Sequence, residues 1–71
     1  MRRVCTLKKV FNDGGKTIIE FVEVSPNKCR EVKREIQSDG NANLSIYNNL
    51  TEEQIQRDIA MYLDFGYDNF E

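Results

Sequence analysis

VCTLKKVFNDGGKTIIEFVEV (residues 4–24) reads as two β-branched, apolar runs joined by Asn12-Asp13-Gly14-Gly15, the pattern of a β-hairpin. Asn and Asp tolerate turn geometry, and Gly accepts positive φ without a steric penalty. The apolar pattern selects the register. A two- or four-residue loop opposes Cys5 to Val22 and Leu7 to Glu20. A three-residue loop, Asn12-Asp13-Gly14, opposes Leu7 to Ile19 and Cys5 to Phe21. Only the second gathers Cys5, Leu7, Phe11, Ile19 and Phe21 on one face, with Thr17 beside them, and a slip of one residue splits that set. Such a loop is a type I turn ending in a left-handed residue and a bulge, with Gly14 at the left-handed position. The other face carries Val4, Thr6, Lys8, Val10, Ile18, Glu20, Val22 and Val24. It is half apolar, so it either stays partly solvated or buries against a partner or a second copy.

Downstream, Ser25-Pro26 ends the second strand. Ser25 is a suitable N-cap and Pro26 a suitable first helical residue. Asn27 to Gln37 is rich in helix formers, with Cys29, Val32 and Ile36 at i, i+3 and i+7. This predicts a short helix over 26–37. The competing reading is a strand from Arg30 to Gln37 that turns at Ser38-Asp39-Gly40-Asn41, which places Arg34 on the face of Val32 and Ile36. A short edge strand is expected over 43–47, added to the hairpin.

Thr51-Glu52-Glu53-Gln54 is a capping box. Ile55, Ile59, Tyr62 and Leu63 form an apolar helical stripe flanked by Phe65, so a helix is expected over 52–65, with Gly66 past its end and a tail over 66–71. Asp58 falls inside that stripe. It reads as a rim carboxylate near Lys9 or as a group aimed at a partner. The expected architecture is a single α+β domain of order ββαβα, an antiparallel hairpin and edge strand with two helices.

Seventy-one residues make one small domain. A chain of this size buries roughly 60% of its unfolded surface, which leaves no room for a deep cleft between lobes. Residues 1–50 hold nine Lys/Arg and six Asp/Glu, net +3, whereas residues 51–71 hold one Arg and six Asp/Glu, net −5. Basic residues at the N-terminus are not followed by an apolar signal core, and two cysteines make no disulfide scaffold, so a cytoplasmic setting without membrane insertion is the expectation.

The chain has no histidine, which removes the commonest general base and metal ligand. No glycine spacing matches a phosphate loop. No catalytic residue, metal site or cofactor is therefore expected, and the predicted role is a non-enzymatic, regulatory protein–protein interaction. Its candidate partner-binding residues are Asp64, Tyr67, Asp68, Phe70 and Glu71, from a last ten residues that hold four aromatics and three carboxylates. An acidic stripe of this kind suits the positive groove of a nucleic-acid-handling enzyme, which it would inhibit by competing with phosphates. The alternative is a nucleic-acid-binding module using Lys28, Arg30, Lys33 and Arg34 on the predicted first helix, with the N-terminal Arg/Lys. A homodimer through the Val4/Val10/Ile18/Val22 face or a hairpin edge is a further possibility.

Overall fold

The hairpin register is the one demanded by burying one apolar set. Cys5 stands opposite Phe21 and Leu7 opposite Ile19 across β1 (Arg2–Val10) and β2 (Lys16–Ser25). The computed structural model describes residues 2–69. Gly14 has φ 91°, its N–H meets the Phe11 carbonyl at 3.0 Å, and Phe11 N–H meets the Gly15 carbonyl at 2.8 Å. A three-residue loop with a left-handed third residue closes the hairpin.

The chain then makes a third strand, not a helix. β3 (Lys28–Ile36) pairs antiparallel with β2 along its whole length, and β4 (Ala42–Leu50) pairs with β3. The predicted helix over 26–37 is overturned, and with it the two-helix ββαβα order. Ser25-Pro26 does not cap a helix. Ser25 pairs with Lys28 across Pro26-Asn27, and Asn27 has φ 56°. Pro followed by a left-handed residue is the type II turn pattern. Helix formers at 27–37 lose to the ladder because the outer edge of β2 otherwise leaves a row of peptide groups without partners. The second Asp-Gly turn repeats the first. Gly40 has φ 92°, Gly40 N–H meets the Gln37 carbonyl at 3.0 Å, and Gln37 N–H meets the Asn41 carbonyl at 2.7 Å. Asp13 and Asp39 each accept a backbone N–H two residues on, at 2.8 and 2.9 Å. The edge strand is longer than the expected 43–47, and it borders β3 rather than the first hairpin.

α1 (Glu52–Asp64) follows, with both bonds of the Thr51/Gln54 capping box formed. A Schellman motif ends it: Gly66 N–H reaches the Leu63 carbonyl and Tyr67 N–H the Tyr62 carbonyl, each at 3.1 Å. The tail that follows is partly structural over its described residues. Asp68–Asn69 form β5, which adds to the far side of β1. The sheet order is β4-β3-β2-β1-β5, all antiparallel, with α1 on one face.

That covered face holds the core: Leu7, Ile19, Phe21 and Cys29 from the sheet and Ile55 from the helix, with Ile59, Tyr62 and Tyr67 packed against them. Leu63 and Phe65, expected on the buried stripe, are exposed. Cys5 and Cys29 carry no disulfide bond. Among the described residues no helix is long and apolar enough to cross a membrane.

Candidate functional site

Side chains alternate across a strand, so the face opposite α1 is read directly from the register. It holds Arg3, Lys8 and Val10 of β1, and Lys16, Ile18, Glu20 and Val22 of β2. β3 adds Lys28, Arg30, Val32 and Arg34, and β4 adds Leu44 and Ile46. No element among the described residues covers it. Ile18, Val22 and Val32 are half-buried by their neighbours, whereas Leu44 and Ile46 are more than half exposed. An antiparallel sheet with one solvated face ordinarily presents polar residues there. Here an aliphatic band crosses three strands.

Cations border that band. Of the four basic residues expected on one helix, Lys28, Arg30 and Arg34 reach this face, and Lys33 does not. Lys33 points to the α1 side, its Nζ 5.9 Å from the centre of the Tyr62 ring. Alternation in a strand separates 33 from 30 and 34, which a helix would have kept together. Arg30 Nε donates to Asn48 Oδ1 at 2.8 Å, and Arg3 lies 3.6 Å from Glu20. Glu20, and Asp68 opposite Lys8 in β5, are the carboxylates of this face among the described residues; the other strand acids and all of α1 lie elsewhere. Thr6 Oγ1, beneath the same face, is buried with no hydrogen-bond partner among the described residues.

The C-terminal candidates are dispersed. Asp64 is exposed in the last turn of α1. Tyr67 is half-buried, its ring 5.0 Å from that of Tyr62. Asp68 is exposed and stands opposite Lys8 in the β1–β5 pair. Phe70 and Glu71 lie outside the described residues. Glu52, Glu53 and Asp64 make the exposed acidic surface of α1, and Asp58 turns inward.

Where Asp58 turns, it meets a buried acid of β3. Glu31 is 4% exposed and accepts a hydrogen bond from Tyr62 Oη at 3.2 Å. Burial pushes its carboxyl above the usual range, opposed by the Tyr62 bond and reinforced by Asp58. Burial and the Glu31 carboxylate likewise hold the Tyr62 phenol well above its ordinary value. Glu31, Tyr47, Leu50, Asp58 and Tyr62 line a cavity of about 210 Å³. A second acid pair sits at the start of α1, where hydrogen bonding to Glu23 raises the Glu52 carboxyl. Burial, with Glu23 and Glu52 nearby, also pushes the Cys29 thiol up, which keeps it protonated and a poor nucleophile. Among the described residues no three or more His, Cys, Asp or Glu side chains are grouped to hold a metal ion. The signal that could have flagged Glu31 is its alternation with Cys29, which in a strand reading puts both on the covered face.

Compared with known proteins, the chain matches no family model, no curated protein and no solved structure.

Proposed function

We propose that this chain is a non-enzymatic protein-interaction module whose contact surface is the open sheet face, and that its partner presents carboxylates around an apolar ridge. The observation that carries the reading is the uncovered band of Ile18, Val22, Val32, Leu44 and Ile46 with Lys8, Lys16, Arg30 and Arg34 around it. An exposed apolar band rimmed by polar groups is the anatomy of a protein interface, and the cations orient an acidic partner and speed its encounter. Such a module suits a modulator of a larger protein. Selection from a random displayed peptide library tests it. Peptides that combine acidic and aliphatic residues should be enriched, and Val32→Asp or Arg30→Glu/Arg34→Glu should lose them. Enrichment of nothing, or of peptides indifferent to these substitutions, overturns the reading.

The second reading, nucleic-acid binding, rests on Lys28, Arg30 and Arg34 joining Arg3, Lys8 and Lys16 on one face. Phosphate contacts would supply the affinity; among the described residues this face holds no aromatic side chain on which a base could stack. Anisotropy with duplex and single-stranded probes decides it. Salt-sensitive binding lost in Lys28→Ala/Arg30→Ala/Arg34→Ala supports it, and no binding at low salt ends it.

A further inference from the structure

The two borders of the sheet are built differently. The β1 border carries Arg2, Arg3, Lys8 and Lys9, has a register shift between Arg3 and Cys5, and is paired by β5 at Leu7 and Lys8. Charges, bulges and cover are the devices by which proteins keep an edge from pairing with another chain. Among the described residues the β4 border has none of them from Ala42 to Tyr47. No charged residue occurs between Gly40 and Thr51, there is no proline, and pairing with β3 is regular until the shift near Asn48-Asn49, where Asn49 has φ 60°.

The ladder also says which peptide groups are unused. Gln37 bonds to Asn41, so Glu35/Asn43, Lys33/Ser45 and Glu31/Tyr47 are the hydrogen-bonded pairs of β3 and β4. The N–H and C=O of Ala42, Leu44 and Ile46 therefore point outward from the sheet.

We propose that the β4 edge pairs antiparallel with the β4 edge of a second copy, through the outward peptide groups of Ala42, Leu44 and Ile46, to form a two-fold dimer with one continuous sheet. The sequence of this edge is self-complementary in that arrangement. Leu44 opposes its own counterpart, Ala42 opposes Ile46, and Asn43 opposes Ser45. A two-fold axis sets any charge on the strand against a like charge nearby, and this strand has none. Leu44 and Ile46 are 60% and 51% exposed in the single chain, and they become neighbours across the seam. The contact is one short strand wide. It falls toward the small end of specific interfaces, on the order of 1,000 Å² in total, so the dimer is reversible. The seam adjoins the peptide-binding band and shares Leu44 and Ile46 with it, but it is made by the outward peptide groups of β4, so Val32→Asp disables the band and leaves the edge intact.

Sedimentation equilibrium of the wild-type chain should show mass rising with concentration from 8.3 kDa toward twice that value. Leu44→Lys, which sets two ammonium groups face to face, should weaken association by about tenfold or more while circular dichroism stays that of the folded chain. Val32→Asp should dimerise as wild type does. The second measurement needs no variant. Amide exchange at Leu44 and Ile46 should be slow at high concentration and fast on dilution, while Glu31 and Lys33 amides do not change. A wild-type monomer at millimolar concentration overturns the proposal. So does a dimer that Leu44→Lys leaves intact, or one in which the Leu44 and Ile46 amides exchange fast.

Discussion

Lys9 Nζ donates a 2.6 Å hydrogen bond to the carbonyl of Phe65, the C-cap residue of α1. The last turn of α1 contains no basic residue, and its carbonyl ends carry the negative pole of the helix dipole. A cation from β1 supplies what the helix lacks. The rings of Phe11 and Tyr67 lie 5.3 and 5.8 Å from the same ammonium. At the other end, Asn27 Oδ1 in the β2–β3 turn accepts the Glu52 N–H at 3.0 Å. The sheet thus binds both ends of the helix.

Lys9→Met keeps most of the side-chain stem and removes the charge-assisted bond. It should cost about 1–2 kcal/mol of stability in urea unfolding, with a smaller difference from wild type at high salt. An unchanged midpoint would show that the bond contributes nothing net.

Asn27 holds two roles that two substitutions separate. Asn27→Gly keeps the left-handed backbone and loses only the bond to Glu52, for about 0.5–1 kcal/mol. Asn27→Ala adds the cost of φ 56° for a residue with a Cβ, and should be destabilised by roughly a further 1 kcal/mol. Thermal unfolding of the pair reads the difference.

Glu31 makes stability pH-dependent. Its folded carboxyl is raised above the ordinary value, chiefly by burial, so between those two values the folded chain binds more protons than the unfolded one. Stability from this group is fully present below the ordinary carboxylate range and falls as pH rises through the raised value. Glu31→Gln retains an acceptor for Tyr62 Oη and removes the buried charge. It should raise stability at neutral pH by about 1 kcal/mol and flatten the pH profile, as measured by urea unfolding at several pH values.

Gly40 has φ 92°, and a Cβ there would meet nothing within 4 Å. Gly40→Ala should therefore cost only the backbone penalty of about 1–2 kcal/mol, with no packing change, and Gly40→Asn should recover part of it. Melting temperatures of the three chains check this.

Local signals were readable where the bonds they make are local. The register of β1 and β2 follows from one loop and one apolar set. The Thr51 capping box spans four residues, and both its bonds are present. The second Asp-Gly turn was equally legible, yet its message, that strands flank it as they flank the first, lost to the helix propensity of 27–37. Of the site, the half-apolar second face of the hairpin was visible in the sequence. The cations that join it from β3 lie in a segment whose local preferences favour a helix.

By itself, the sequence determined the hairpin, its register, the C-terminal helix and that helix's caps, because each depends on residues close along the chain or on a single apolar alternation. Only the tertiary structure decided that residues 28–36 are a strand. Their own preferences favour a helix, and what outweighs them is the row of peptide groups that β2 and β4 offer on either side. That pairing moves Lys33 away from Arg30 and Arg34, buries Glu31 under Tyr62, and opens one aliphatic face bordered by cations. It also leaves β4 as an uncharged edge. Burial and ladder partners come from segments distant in sequence, and no local pattern encodes them.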